Sequence, residues 1–211
     1  MRESGFTLVE LMIAMSLLAV IGIMSFVAIE TAANSSTLAL AKDRVQSSVR
    51  DTMAAIIAEA EIAARQGDNS LIPPLEEIEV IQNPVPGSPV ELRLQVPLDG
   101  SRQRWSSPIR FRYMNEDLNR NALLDAGEDT DGDGALTRRI VRIQDINMDG
   151  DTADIGEARP VGGCNDLSDV EFALNDDNSI LTITLTATAR VDGRRPTLVS
   201  ETVSARVYVC N

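Results

Sequence analysis

Asp117, Asn119, Asn121, Asp125 and Glu128 stand at positions 1, 3, 5, 9 and 12 of a twelve-residue window, with Leu123 at position 7 to lend a backbone carbonyl. Hard oxygen donors at alternating positions let one turn of chain wrap a divalent cation, and a glutamate at position 12 closes the shell with both its oxygens. The chemistry on offer is cation ligation by oxygen alone. Position 6, where the sharp turn ordinarily takes glycine, is Ala122, a change expected to distort the loop or lower its affinity. Two further runs follow. Asp129, Asp131 and Asp133 open the second, with Gly134 at position 6 but Ile140 where the closing glutamate should be. Asp145, Asn147, Asp149 and Asp151 open the third with Gly150 in place, and Asp154 and Glu157 could close it only from shifted positions.

The spacing resembles the EF-hand calcium loop, but the apolar flanking helices of the hand are missing. The runs look more like the helix-poor calcium loops of bacterial surface proteins. That resemblance implies calcium at one site or two, with Asp129 and Asp131 shared between loops or binding separately. Magnesium fits less well, because it prefers a small octahedral shell kept partly as water. The charge is placed accordingly: the chain carries a net charge of −13, and the segment 115–177 holds about 17 acidic against about 5 basic residues. The other reading of such density is a solvated, self-repelling loop. Either way the acidic face repels phosphates, which argues against nucleic acid as a partner. Histidine is absent and Cys164 and Cys210 are the only thiols, which excludes histidine-based triads, imidazole metal sites and a four-cysteine zinc site. No carboxylate pair is singled out as acid and base, so the chain reads as a non-enzyme.

A second group of residues concerns the membrane. Gly5-Phe6-Thr7-Leu8-Val9-Glu10 opens an apolar run in which Glu10 is the only ionisable side chain up to Ile29. Roughly 20 apolar residues suffice to cross a bilayer as a helix. A carboxylate inside that anchor costs on the order of 2.5–3.5 kcal/mol and by default has a partner and a purpose. No lysine or arginine occurs between Phe6 and Ala41, so the nearest available cation is the amine that cleavage after Gly5 would create on Phe6. A secretory signal peptide would carry a basic n-region and a shorter core, whereas here Arg2 and Glu3 cancel. A plain single-pass anchor leaves Glu10 and the Gly5–Phe6 step without a reason.

The pattern resembles the class III leader of type IV prepilins. In that family a prepilin peptidase cuts after the glycine, the new N-terminus is methylated, and the glutamate meets the N-terminal amine of a neighbouring subunit. The resemblance carries these roles onto Gly5, Phe6 and Glu10. It implies a single-pass protein of the bacterial inner membrane with its C-terminal domain in the periplasm, later part of a pilus or pseudopilus filament. The implied partners are prepilin peptidase, membrane lipid, the inner-membrane assembly platform, and other pilins or pseudopilins through the N-terminal helix. Many major pilins have a proline near the outer end of the apolar stretch; its absence here favours a minor pilin or a type II secretion pseudopilin. Retention of Glu10 argues against a tip-capping pseudopilin. An alternative from another class is a membrane-anchored calcium-dependent adhesin using a prepilin-type leader.

The elements that position these groups follow from periodicity. Beyond Glu30, Leu38, Val45, Val49, Met53, Ile56 and Ala60 keep a helical spacing with charged residues between them, so the anchor continues as an amphipathic helix to about Arg65. Gly67-Asp68-Asn69 ends it, and Pro73, Pro74, Pro84, Pro86 and Pro89 mark an irregular crossing segment. Alternation predicts strands over 90–96, 109–114, 139–144, 170–174, 180–191 and 198–209, the last three as an antiparallel meander. The acidic insert falls in the turn between the second and third, a hairpin resembling that of larger minor pilins and J-type pseudopilins. The fold class is α+β, a long N-terminal helix packed on an antiparallel sheet. The expected organisation is leader 1–5, transmembrane half-helix 6–29, amphipathic half 30–66, and a globular domain 67–211 with the insert at 115–157. In an oxidising compartment Cys164 and Cys210 are expected to pair, closing a loop of about 46 residues and contributing roughly 4 kcal/mol in the chain-entropy model. Many pilins pin their C-terminal region in this way, and two separate buried thiols are the alternative.

Overall fold

A computed structural model describes residues 7–63, 78–81, 90–98, 106–129, 132–162, 165–177, 179–191 and 196–208. Gly5, Phe6, Asp131, Cys164, Cys210 and the expected helix stop at 67–69 lie outside them. One helix, α1 (Leu8–Ala63), runs unbroken through 56 residues, about 84 Å at 1.5 Å per residue. Its two halves obey different rules. From Leu8 to Ile29 every large apolar side chain is 50–75% exposed, all round the cylinder, the pattern of a segment solvated by hydrocarbon rather than protein. From Val45 onward burial becomes a stripe: Val45, Ser48, Val49, Thr52, Met53, Ile56, Ala60 and Ala63 are buried, while the opposite face of the helix is exposed.

That stripe packs on two antiparallel sheets. The first contains β1 (Glu79–Ile81), β2 (Glu91–Leu94), β3 (Ile109–Asn115), β4 (Arg138–Ile143) and β5 (Ala158–Pro160), in the order β1-β2-β3-β4-β5. The second is the meander β6 (Leu167–Leu174), β7 (Ile180–Val191) and β8 (Thr197–Tyr208). Helix α1 lies mainly over β7 and β8, while β6 borders the first sheet beside β1, β3 and β4. Inward residues of both sheets, among them Leu92, Phe111, Ile140, Phe172, Ile183 and Leu185, share one apolar cluster with the helix stripe. Each such fully buried side chain contributes about 1.5–3 kcal/mol. On the outer face of the meander the threonines of β7 pair across the ladder, Thr184 with Ser204 at 3.1 Å and Thr186 with Thr202 at 3.0 Å.

The meander and the β3–β4 hairpin are as the sequence predicts. Two strands are not. β1 lies inside the segment read as an irregular crossing, and β5 inside the acidic region. Both are three-residue edge pieces, too short to show alternation, and each is held by its neighbour, Val80 opposite Leu92 and Arg159 opposite Arg142. Beyond β5 the chain crosses α1 at Gly162, whose φ is +72°. A Cβ there would lie 2.3 Å from Thr52 Oγ1 and 2.7 Å from Thr52 N, so the crossing requires glycine. The described neighbours of the two cysteines stand at opposite ends of β7, since Thr188 N donates to Asp166 O while Ile180 pairs with Tyr208.

Ion pairs tie the helix to the first sheet and brace that sheet within itself. Arg142 Nε donates to both carboxylate oxygens of Glu59 on α1, at 2.8 and 3.0 Å. Glu91 faces Arg112 across the β2–β3 ladder and Arg93 two residues along its own strand, so one buried carboxylate accepts from both guanidinium groups, at 2.7 Å from Arg93 and 3.0 Å from Arg112. Burial pushes the Glu91 carboxyl up, but the two arginines outweigh it and hold it below the usual carboxylate range. A depressed folded-state pKa gives stability that is fully present above the unfolded value and is lost as pH falls through the folded one. Glu91→Gln is therefore expected to lower the melting temperature at neutral pH and to flatten the acid side of the stability–pH curve. Acid-side slopes that coincide for the two proteins would refute this account of Glu91.

Candidate functional site

Two of the acidic loops join β3 to β4 and the third joins β4 to β5, so they hang from opposite ends of one six-residue strand. In the first, Asp117 Oδ1 accepts Asn121 N at 2.9 Å and its Oδ2 accepts Ala122 N at 2.9 Å. Asn119 Oδ1 accepts Asn121 N at 3.0 Å, and Asn121 Oδ1 accepts Leu123 N at 2.7 Å. Each ligand-type side chain thus caps the backbone two to five residues ahead and coils the chain around its own oxygens. Glu128 closes the coil: its Oε1 accepts Leu118 N and Asn119 N at 3.0 and 3.3 Å, and its Oε2 accepts Asp125 N at 3.0 Å. Asp117 and Glu128 are buried.

The third loop repeats this with one extra residue. Asp145 accepts Met148 N and Gly150 N at 2.6 and 3.0 Å, Asn147 accepts Asp149 N at 3.0 Å, and Asp149 accepts Asp151 N at 3.1 Å. Glu157 then accepts Ile146 N through Oε1 at 2.8 Å and Asp154 N through Oε2 at 3.3 Å, the same two kinds of contact that Glu128 makes. Glu157 is buried as well. Asp154 and Glu157 therefore stand where Asp125 and Glu128 stand in the first loop, and the shift of one residue is absorbed ahead of them. The second loop opens alike, Asp129 accepting Gly132 N and Gly134 N at 2.7 and 3.1 Å and Asp133 accepting Ala135 N at 2.7 Å. It does not close, because its twelfth residue, Ile140, is a core residue of β4.

The groups gathered here are oxygens, with three amide nitrogens in their midst, one of them Asn147 Nδ2 of the third loop, which donates to Asp149 Oδ2 at 3.0 Å and Asp154 Oδ2 at 2.7 Å. Asn119 Nδ2 and Asn121 Nδ2 both donate to Asp125 Oδ2 at 2.7 Å, and these contacts hold the Asp125 carboxyl below its usual range. Among the described residues no three acidic side chains form by themselves a group able to hold a metal. Asparagine amides and backbone carbonyls must supply the remainder, as the spacing requires. Sequence reading missed Arg138. Its Nη1 lies 3.0 Å from Asp117 Oδ2, and side-chain exposure is 4% for the arginine and 2% for the aspartate. No local signal marks a pair 21 residues apart.

The glycine-poor turn of the first loop is tolerated. Arg120 and Ala122 adopt φ of 61° and 58°, matching Met148 and Gly150 in the third loop at 61° and 95°. The left-handed region costs a non-glycine residue roughly 1–2 kcal/mol, against about 0.4–1 kcal/mol of unfolded-chain entropy that glycine adds. Ala122→Gly is expected to stabilise the chain by about 0.5–1 kcal/mol, and Gly150→Ala, which meets nothing within 4 Å, to destabilise it by a similar amount through φ alone. Thermal melts of the two variants test this, and a loss of stability in Ala122→Gly would contradict it.

At the other end of the molecule Glu10 has a partner in its own helix. Thr7 N donates to Glu10 Oε2 at 3.0 Å and Thr7 Oγ1 at 3.1 Å, while Glu10 N donates to Thr7 Oγ1 at 3.3 Å. This is a capping box, signalled in the sequence by threonine three residues ahead of glutamate. It satisfies helix-end N–H groups in an apolar surrounding, where leaving them unpaired costs several kcal/mol each. The carboxylate's second oxygen takes no part in the box.

Residues 1–26 match the family model described as the prokaryotic N-terminal methylation motif. Comparison with curated proteins finds no match, and comparison with solved structures finds none. The matched segment contains the glycine–phenylalanine step, Glu10 and most of the exposed apolar half of α1, which is long and apolar enough to cross a membrane. With the helix-on-sheet fold behind it, this leader motif supports a type IV pilin or pseudopilin subunit; it implies processing by a prepilin peptidase and assembly with other pilins, and the apolar helix fits an inner-membrane anchor.

Proposed function

We propose that the chain is a minor pilin or pseudopilin, a non-catalytic subunit of a type IV pilus or type II secretion pseudopilus whose head is stabilised by calcium. The observation that carries the filament part is the single helix that is apolar all round in its first half and packed on the domain in its second. Such a helix leaves the membrane only if other apolar helices replace the lipid, which is what a filament core of identical anchors provides. Glu10 registers neighbours by meeting the amine of a cleaved Phe6. Deleting the prepilin peptidase is expected to leave the mass higher by residues Met1 to Gly5, and Glu10→Ala to remain in the membrane while incorporating poorly into filaments. An uncleaved protein that still reaches the surface would favour a membrane-anchored calcium-dependent adhesin.

The calcium part is supported by the two closed loops, each with a buried glutamate behind an aspartate at position 1, Asp117 with Glu128 and Asp145 with Glu157. Both lie in the acidic segment, so removing the ion leaves like charges in self-repulsion. For calcium to enter, the amides of Asn119, Asn121 and Asn147 turn to present oxygen, which gives up the hydrogen bonds those oxygens accept from Asn121 N, Leu123 N and Asp149 N and must be offset by the ion. The residues proposed to hold it are Asp117, Asn119, Asn121, Asp125, Glu128 and the carbonyl of Leu123, and, in the third loop, Asp145, Asn147, Asp149, Asp151, Asp154 and Glu157. Asp129 and Asp133 belong to the unclosed loop between them. Binding at a hundred times Kd adds about 2.7 kcal/mol, with an affinity on the order of 10⁻⁴ to 10⁻³ M. Thermal melts of the full chain in chelator, millimolar calcium and millimolar magnesium test this. Calcium is expected to raise the midpoint most, Glu128→Gln and Glu157→Gln each to remove part of the gain, and Asp176→Asn none. Identical melts in all three conditions would reduce the insert to a solvated acidic loop.

A further inference from the structure

The two closed loops differ in what holds the aspartate at position 1. Asp145 accepts only backbone N–H groups through its carboxylate, whereas Asp117 Oδ2 also accepts Arg138 Nη1. Arg138 is the first residue of β4, and its side chain is fastened to the other sheet as well: Nη1 donates to Thr188 Oγ1 at 3.1 Å and Nη2 to Thr188 O at 2.8 Å, both on β7. Its backbone N donates to Asn165 Oδ1 at 2.8 Å, and Asn165 Nδ2 donates to Leu136 O at 2.6 Å. From Thr188 the contacts continue to α1, since Thr188 N donates to Asp166 O and Arg44 Nε donates to Asp166 Oδ2 at 2.8 Å. An open cleft of about 300 Å³ separates Ala122 and Leu123 of the loop from Arg44 and Ala189, with Arg138 in its lining, so across it the guanidinium contacts stand in for direct packing.

We propose that Arg138 is a positioning residue that couples the Asp117–Glu128 loop to β7, so that calcium in this loop, but not in the Asp145–Glu157 loop, orders the junction between the two sheets. The inference rests on the calcium reading above. Its physical basis is that a buried charge pair cannot be loosened on one side alone: when the loop frays, Asp117 moves and leaves an uncompensated guanidinium against β7, whereas a cation that fixes Asp117 fixes Arg138 and, through it, Thr188. Among the described residues the third loop has no such tie to the second sheet: its long-range side-chain contacts, Ser107 Oγ donating to Asp145 O and Arg110 Nη2 to Thr152 Oγ1, stay within the first sheet, so ordering there does not reach β7.

Amide hydrogen exchange of the full chain in detergent, with calcium and with chelator, reads this directly. In the unaltered protein calcium is expected to slow exchange both in the first loop and in the β7 stretch 186–190, the latter by about 5-fold or more, the low end of usual coupling. Arg138→Lys keeps the charge but cannot span Asp117 and both oxygens of Thr188 with a planar fork, so it should keep the protection of the loop and lose most of the protection in β7. Asp145→Asn should leave both unchanged. A merely structural role for Arg138 would speed β7 exchange equally with calcium and with chelator, and that outcome would overturn the proposal, as would loop protection in the unaltered protein that never reaches β7. Absence of any calcium response at the loop amides of the unaltered protein would overturn the calcium reading and this inference together.

Discussion

One helix serving two solvents governs the molecule. The first half of α1 has no stripe because hydrocarbon surrounds it on every side, and the second half has one because protein covers one face and water the other. From Val45 to Ala63 the spacing of small and branched apolar residues decides which face the sheets meet, and therefore where both sheets lie. Helix and sheets are then locked by the ion pair of Arg142 with Glu59 and by the close approach of Gly162 to Thr52, where only glycine fits. A domain built this way transmits position along a rigid spine, as the proposed role in a filament requires.

The acidic segment follows from a different constraint, that a buried carboxylate must be satisfied. Asp117, Glu128 and Glu157 are buried without lysine or arginine in sufficient number, and backbone N–H groups of their own loops do most of the satisfying. Such loops hold a fixed backbone with their oxygens gathered inward, an arrangement whose electrostatic repulsion the proposed cation would relieve. Placing two of them at opposite ends of β4 puts any ion-dependent ordering at both ends of the next-to-last strand of the five-stranded sheet.

Glu10 shows how one side chain can answer two needs. In the isolated chain its carboxylate caps the helix through Thr7, which accounts for a charged residue in an anchor on local grounds alone. The proposed contact with a neighbour's amine uses the same carboxylate, so helix capping and subunit registration meet at one residue rather than competing explanations for it.

What could be read from the sequence is what repeats over short distances. The leader, the apolar run, the helical stripe from Val45 to Ala60, the alternation of β7 and the two-residue spacing of the loop ligands are all local patterns, set by helix and strand geometry or by the reach of an Asx side chain. The hairpin of β3 and β4 was legible because its strands flank the insert directly. Tertiary structure alone decided the rest. That the strands divide into two sheets, that β1 and β5 exist, and that Arg138 sits on Asp117 and Thr188, 21 and 50 residues away, depend on pairings that no local pattern marks. Such pairings carry no periodicity. They are selected by the shape of the packed core, which fixes where a buried charge can find its partner.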